Sequence, residues 1–127
     1  MNLLLDTDVM IDLLRKRSYA WQWLRSLEAF PVTSCFTALE LLGGSSNKQE
    51  YRTVEKFLLD FPILYPSLED MEGALGVYTP FCLSHGAGYL DVLIASVAVG
   101  HNLMLATCNT KHFNGLPNLR ILQPYTR

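Results

Sequence analysis

Three acidic residues, Asp6, Glu40 and Asp91, are the side chains in this sequence best suited to chemistry. Each is a lone acid in an apolar segment, near the end of a predicted strand or in the first turn of a predicted helix. Carboxylates that converge in one cleft repel one another, and a hard divalent cation such as Mg²⁺ or Mn²⁺ relieves that repulsion. A cation held in this way can activate water and bind phosphate. Together the three acids indicate metal-assisted chemistry on a phosphate, although each alone is more often a helix cap or a solvated side chain.

The residues before Asp6 place it at the end of a buried strand. Leu3 to Leu5 form an apolar run that leads directly into Asp6, as in parallel strands that end at an active-site rim. Capping of the following helix by Thr7 or Asp8 would account for one of these polar residues and leave Asp6 unexplained. Thr107 follows a second buried strand, so we expect Asp6 and Thr107 at the same edge of one sheet.

Short apolar segments alternate with helical segments along the whole chain, which predicts an α/β fold with a mainly parallel sheet of about five strands. Connections between parallel strands need crossover helices, and the spacing of the segments leaves room for them. The predicted strands are Leu3–Leu5, Pro31–Cys35, Pro62–Tyr65, Leu103–Ala106 and Arg120–Leu122.

Helix boundaries are predicted from capping residues. Ser18 and Thr37 are candidate N-caps, and Ser67 with Asp70 forms a candidate capping box. Pro80 should kink or end the helix that contains it, because proline removes a backbone donor. The predicted helices cover residues 9–17, 18–29, 37–44, 46–61, 67–81 and 89–100, and residues 84–88 are predicted to be a flexible loop.

Composition limits the class of protein. The chain has 127 residues, and we expect one domain over residues 1–127 with a hydrophobic core that needs no disulfide or structural metal. The mostly apolar stretch from Val92 to Val99 is far shorter than the roughly 20 residues of a membrane span. No signal peptide is apparent, so we expect a cytoplasmic protein. The net charge of −2 predicts that any polyanion binds locally, through a metal ion or a basic patch.

Four motifs in order resemble the PIN-domain ribonucleases, and within them the toxin component of the virulence-associated (VapBC-type) toxin–antitoxin pairs. Each motif alone is weak, but four in order at suitable spacing are specific, and they run the length of the chain. The resemblance implies a three-layer α/β/α fold and a Mg²⁺- or Mn²⁺-dependent endoribonuclease that a small antitoxin holds inactive. The motifs are Leu5–Asp8, Thr37–Gly43, Asp91–Ala95 and Leu105–Phe113.

The resemblance also implies site residues. Asp6, Glu40 and Asp91 match the metal ligands of the family, and Thr107 matches a polar group beside Asp6. Many members place a fourth acid in the segment after that threonine, where this chain has Asn109 and His112. Asn109 can still hold a metal-bound water, and we expect it to contribute to catalysis. Asp8 and Asp12 are additional acids, of which we expect Asp12 to be exposed, and we assign His85, His101 and His112 no catalytic role.

Two partners follow from the resemblance, an RNA substrate and a cognate antitoxin. We expect the helices of residues 9–29, which carry Trp21, Trp23 and Leu24, and of residues 46–61 to form a groove for an antitoxin helix. A homodimer should form elsewhere on the surface, or the toxin and antitoxin should assemble into a hetero-oligomer. Basic side chains that could contact RNA phosphates are Arg15, Lys16, Arg17, Lys48, Arg52, Lys56 and Lys111.

Two alternatives remain open at this point. Asp6-Thr7-Asp8 after an apolar strand also matches the nucleophile motif of haloacid-dehalogenase-like phosphatases, in which Asp6 would attack phosphorus. That motif continues with Gly-Thr or Gly-Val, whereas this chain has Val9 and Met10. The second alternative is a degenerate PIN domain that binds RNA or a partner without cutting, which the missing fourth acid favours.

Overall fold

The computed structural model describes residues 2–85 and 87–127, without the side chain of His85, and in this part of the chain it contains one five-stranded sheet. All neighbouring strands run parallel, in the order β3-β2-β1-β4-β5. The prediction of an α/β fold with a mainly parallel sheet is confirmed. The strands are β1 (Leu3–Leu5), β2 (Val32–Ser34), β3 (Ile63–Leu64), β4 (Met104–Ala106) and β5 (Ile121–Leu122).

Strand β1 lies in the middle of the sheet, and its leucines pack on both faces. Successive side chains of a strand point to opposite faces. Leu3 and Leu5 therefore join a hydrophobic cluster on one face, and Leu4 joins a cluster on the other. Burial of each leucine side chain is worth roughly 1.5–3 kcal/mol. This two-sided burial favours the central position for β1, which carries Asp6 at its end.

Two layers of helices cover the sheet, giving the predicted three-layer arrangement. Helices α1 to α4 supply the cluster that contains Leu5, whereas the helical run from Leu68 and helices α7 and α8 supply the cluster that contains Leu4. The helices are α1 (Thr7–Leu14), α2 (Ser18–Ser26), α3 (Cys35–Gly43), α4 (Lys48–Leu58), α5 (Leu68–Gly73), α6 (Thr79–His85), α7 (Tyr89–Gly100) and α8 (Thr110–Phe113).

Two of the predicted N-caps are wrong by a few residues. Helix α3 begins at Cys35, because the hydroxyl of Ser34 accepts a hydrogen bond from the backbone N–H of Thr37 at 3.1 Å. Thr37 is therefore a buried residue inside the helix rather than its cap. Ser18 is the first residue of α2, which has no side-chain cap. The capping box of Ser67 and Asp70 is confirmed.

Pro80 does not end its helix. A π-helical turn, Ala74–Tyr78, connects α5 to α6, and the N–H of Thr79 donates to the carbonyl of Ala74, five residues back. A proline ring clashes with the carbonyl four residues before it, and the wider π turn lies immediately before Pro80. Helix α6 reaches His85, so the predicted loop at 84–88 is shorter than expected, and Gly86 within it lies outside the described residues.

Helix α7 is buried on several sides, as its sequence predicts. Ile94, Ala95, Val97 and Ala98 are at most 1% exposed, so the helix forms the interior of its layer. Its 12 residues are too few to span a bilayer. Among the described residues, no helix is both long and apolar enough to cross a membrane.

Candidate functional site

The predicted site lies where the strand order changes direction. Strands β1 and β4 are neighbours although about 100 residues separate them, and Leu5 pairs with Ala106. The backbone N–H of Asp6 donates to the carbonyl of Ala106 at 3.0 Å, so Asp6 and Thr107 leave the sheet side by side. A topological switch point in a parallel sheet opens a crevice outside the carboxyl ends of the strands. Helix α1 begins on one side of this crevice.

Asp6 serves both as a helix cap and as a candidate ligand. Its Oδ1 atom accepts from the N–H of Thr7 at 2.8 Å, and Oδ2 accepts from the hydroxyl of Thr107 at 2.8 Å. Asp6 is only 5% exposed, and burial raises its pKa to about 7, with further increases from the charges of Asp8 and Asp91. The two hydrogen bonds only partly offset this rise. Burial and the neighbouring carboxylates therefore outweigh the two hydrogen bonds and disfavour a charged Asp6.

Asp8 lies beside Asp6 and shares its surroundings. Its Oδ1 atom accepts from the N–H of Val9 at 2.7 Å, and Oδ2 accepts from the N–H of Cys108 at 2.9 Å. The hydroxyl of Thr107 is 3.5 Å from Asp8 Oδ2, so Thr107 lies between the two carboxylates. Burial raises the pKa of Asp8, against the effect of these hydrogen bonds. Asp8 thus adds negative charge to the crevice.

Glu40 reaches the start of α1 from α3. The hydroxyl of Thr7 donates to Glu40 Oε1 at 2.7 Å and lies 3.0 Å from the hydroxyl of Thr37. Glu40 itself is exposed to solvent. Because Thr7 follows Asp6 directly, this contact brings Glu40 to the same rim of the crevice. Sequence reasoning did not assign Thr7 this linking position.

Asp91 lies in the first turn of α7 and contacts the segment after β4. Its Oδ2 atom accepts from the N–H of Gly88 at 3.2 Å and lies 3.1 Å from Nδ1 of His112. The amide of Asn109 lies 2.7 Å from the same Nδ1 atom, and the N–H of Asn109 donates to the hydroxyl of Thr107 at 3.0 Å. All five predicted site residues are therefore linked, directly or through Thr7 and His112.

His112 is a contact that sequence reasoning missed. We assigned it no role because histidines are scattered in the sequence and form no zinc pattern. His112 follows Asn109 by three residues, across the first turn of the short helix α8, and this spacing indicates that the two side chains can contact each other. The partner Asp91 is 21 residues away in sequence, and that proximity appears only in the fold.

Asp12 is not the exposed acid that we expected. It is 4% exposed, because Nε and Nη2 of Arg127 bind its two oxygens at 2.9 Å each and the hydroxyl of Tyr125 donates to it at 2.8 Å. Burial alone would raise the pKa of Asp12, but these hydrogen bonds lower it overall. Arg127 also donates to the backbone carbonyl of Asp8 at 3.1 Å. Asp12 therefore fastens helix α1 to residues 125–127.

A hard divalent cation fits the chemistry of the crevice. Within residues 2–85 and 87–127, no three side chains of His, Cys, Asp and Glu already surround one point closely enough to hold an ion. The available donors are nevertheless mainly carboxylate oxygens, the ligands that Mg²⁺ and Mn²⁺ take. Asp8 and Asp91 both raise the pKa of Asp6 by charge repulsion, which a cation would reverse.

A groove of about 670 Å³ opens beside the site. It lies between α1 and α4 over α3, and its lining includes Ile11, Leu14, Leu41 and Val54, with Glu40 at the end nearest the site. Helix α2 contributes nothing to this lining, in contrast to our expectation for residues 9–29. Both tryptophans of α2 are partly buried against the fold instead. Trp21 donates to the carbonyl of Leu13 at 3.0 Å, and the ring of Trp23 lies 6.1 Å from that of Tyr125.

Several solved structures resemble the chain over almost its full length. A toxin–antitoxin complex from Klebsiella pneumoniae has 27% identity and a TM-score of 0.78, with 98% of both chains covered. VapBC-1 from nontypeable Haemophilus influenzae has 26% identity and a TM-score of 0.81, also with 98% of both chains covered. VapBC2 from Rickettsia felis, bound to a promoter DNA fragment, has 26% identity and a TM-score of 0.82, with 96% of this chain and 98% of that chain covered.

Sequence comparison gives the family directly. Comparison with curated protein sequences finds no match. The family model of the PIN domain, however, matches residues 3–117, which include every predicted site residue. The chain belongs to the PIN-domain family.

Proposed function

We propose that this protein is a Mg²⁺- or Mn²⁺-dependent endoribonuclease and the toxin of a VapBC-type toxin–antitoxin pair. The observation that carries the proposal is the crowding of carboxylates at the switch point, where the hydroxyl of Thr107 lies 2.8 Å from Asp6 and 3.5 Å from Asp8. Burial, together with the charges of Asp8 and Asp91, raises the pKa of Asp6 to about 7. Solved complexes that resemble the chain over 96–98% of its length are toxin–antitoxin pairs. The proposal includes a cytoplasmic location, because the RNA substrate is there.

In this proposal Asp6, Glu40 and Asp91 hold the cation. When bound, the cation supplies a water of lowered pKa and neutralises charge on the scissile phosphate. Thr107 orients Asp6 through its 2.8 Å hydrogen bond, and Thr7 orients Glu40 through its 2.7 Å hydrogen bond. Asn109 takes a place where many family members have an acid, and its backbone N–H fixes the hydroxyl of Thr107.

The geometry favours this mechanism over direct attack by Asp6 on phosphorus. Both oxygens of Asp6 accept hydrogen bonds, one from the first N–H of α1 and one from Thr107, and the side chain is 5% exposed. A nucleophile needs an oxygen with free access to its target. Asp6 is thus poorly placed to form a covalent phosphate ester.

Purified protein is expected to cleave single-stranded RNA when Mg²⁺ or Mn²⁺ is present and to stop when EDTA is added. The physical reason is that the acidic crevice repels phosphate until a cation neutralises it. End-labelled RNA separated on denaturing gels gives the measurement. RNA that binds the protein but stays intact with both metals would contradict the proposal and favour the non-cutting alternative.

The groove between α1 and α4 is the surface that we propose for the antitoxin. Its lining combines four apolar side chains with polar ones such as Asn47, Gln49 and Glu50, which suits an amphipathic helix, and Glu40 at its end offers an acceptor for a basic side chain. A segment bound there would lie against a proposed metal ligand. Inhibition then follows from occupation of the rim of the active site.

Thr53→Arg is expected to weaken binding of the antitoxin encoded beside the toxin gene by about tenfold or more, because the long arginine side chain would fill space in the groove that the antitoxin needs. Thr53 is exposed and lines the groove. Gln22→Arg adds the same charge to an exposed position of α2, outside the groove, and should bind as wild type does. Isothermal titration gives both affinities. Equal weakening in the two variants, or in neither, would argue against the groove.

The homodimer in our proposal uses a different surface. Large apolar side chains are exposed along the helical run from α5 to α6, where Leu75 is 75% exposed and Leu83 is 92% exposed. Monomeric proteins seldom expose large contiguous apolar patches without a partner. A self-association surface there would leave the groove between α1 and α4 open for the antitoxin.

A further inference from the structure

The ring nitrogen Nδ1 of His112 faces two polar groups at once. Oδ2 of Asp91 lies 3.1 Å from it, and the side-chain amide of Asn109 lies 2.7 Å from it. The side chain of Asp91 is 23% exposed and that of His112 is 42% exposed, so the cluster can be reached from solvent. None of the three groups belongs to the hydrophobic clusters of the fold.

The orientation of the Asn109 amide decides which atoms face Nδ1. If Nδ1 carries a proton, it can donate to Asp91, but the amide N–H₂ of Asn109 then points at another donor. If Nδ1 is unprotonated, it accepts from Asn109, but its lone pair then faces the carboxylate of Asp91. Rotation of the amide by 180° removes the first conflict, because the Nδ1 proton then lies between two acceptor oxygens, Oδ1 of Asn109 and Oδ2 of Asp91. In this orientation two oxygens and the ring nitrogen converge on the position of the proton, which a cation can occupy in its place once Nδ1 is deprotonated.

A cation at that point would use all three groups as ligands. Ligands bound at 2.0–2.1 Å in octahedral geometry lie about 3 Å from one another. The separations of 3.1 Å and 2.7 Å around Nδ1 match that spacing. Carboxylate, amide oxygen and imidazole nitrogen are all metal ligands, and the imidazole sets this group apart from an all-oxygen site.

We propose that Asp91, Asn109 and His112 form a cation site in which Nδ1 of His112 is a nitrogen ligand, so that the protein binds Mn²⁺ more tightly than Mg²⁺. The inference rests on the proposed metal requirement, and it adds Asn109 and His112 as ligands beside Asp91, one of the three carboxylates proposed to hold the cation. Mg²⁺ binds oxygen and gives up its hydration water reluctantly, whereas imidazole suits first-row transition metals. The nitrogen ligand selects between the two cations.

Pulsed electron paramagnetic resonance of the protein loaded with Mn²⁺ tests the nitrogen ligand without any measurement of activity. Wild-type protein labelled with ¹⁵N-histidine should show echo modulation from a ¹⁵N nucleus bound to Mn²⁺, and His112→Asp should lose it. His101→Asn is the control, because Nε2 of His101 contacts the carbonyl of Tyr65 and the residue lies at the opposite end of α7 from Asp91. The control should keep the modulation.

Competition of Mg²⁺ against Mn²⁺ gives the affinity ratio in the same samples. His112→Asp should reduce the preference for Mn²⁺ by about tenfold, since a carboxylate replaces the imidazole. Absence of histidine modulation in wild type, its persistence in His112→Asp, or failure of Mn²⁺ to bind would overturn the inference. Cleavage of RNA without histidine modulation would overturn only the nitrogen ligand, whereas modulation without cleavage would overturn only the proposed nuclease.

Discussion

Metal-free Asp6→Asn protein is expected to be more stable than wild type at pH 8, with a much smaller advantage at pH 5. The folded state raises the pKa of Asp6 from 3.8 to about 7, mainly by burial and then by the charge of Asp8. The folded protein therefore binds a proton that the unfolded chain releases, and wild type loses stability as the pH rises from about 4 to 7. The loss over that window is roughly 4 kcal/mol at most.

Asparagine keeps the shape of Asp6 and caps a helix equally well, but it removes the charge. Since asparagine has only one acceptor oxygen, one of the hydrogen bonds from Thr7 and Thr107 is weakened, and the net gain at pH 8 should be on the order of 2 kcal/mol. Chemical denaturation at several pH values gives the difference. Asp60→Asn, at an exposed position, is the control and should show the pH dependence of wild type. Identical pH profiles for Asp6→Asn and wild type would disprove the raised pKa.

The same two proteins should respond differently to Mn²⁺. A ligand that binds only the folded state stabilises it by an amount that grows with the ratio of its concentration to its Kd. Wild type should therefore melt at a higher temperature as Mn²⁺ is added, and Asp6→Asn should gain much less. Equal shifts in both proteins would make Asp6 a structural cap rather than a ligand.

Conservative replacement of each proposed ligand should lower RNA cleavage by a factor of about 10² or more. The variants are Asp6→Asn, Glu40→Gln and Asp91→Asn, each of which removes one charge from the crevice and keeps the volume of the side chain. Initial rates on labelled RNA at saturating Mn²⁺ give the measurement. Glu55→Gln and Asp60→Asn remove a charge from exposed positions and serve as matched controls. Wild-type rates in all three site variants would disprove the assignment.

The sequence predicted the strands and most helices because their signals are local. The buried strand Leu3–Leu5 is predicted by three consecutive leucines. The glycines and capping residues that mark the ends of helices lie within a few residues of those ends. Errors of boundary arose where two good caps compete, as at Ser34 and Thr37. Serine and threonine both have a high propensity for the N-cap position, which requires an extended backbone. Only Ser34, at the end of β2, has that backbone conformation.

The parts of the site that could not be predicted depend on distant partners. Asp12 lies between Ile11 and Leu13 in α1, and no residue near it in the sequence identifies its partner. Only contact with Arg127, 115 residues later, makes it a buried ion pair. His112 likewise acquires its position from Asp91 on another helix. The sequence singles out Asp6, Glu40 and Asp91 because a lone charge in an apolar segment is costly unless something compensates it.

The central place of β1 has a consequence for how the protein folds. Its two neighbouring strands begin about 30 and about 100 residues later in the chain, so β1 makes strand pairings of very different sequence separation. The pairing with β4 is a high-contact-order step, which is slow because a long loop must first close. Asp6 meets Thr107 only after that step, and Arg127 reaches Asp12 only when residues 125–127 dock. Without those contacts Asp6 and Glu40 lack the surface that completes the crevice, so the crevice depends on the longest-range pairing of the sheet.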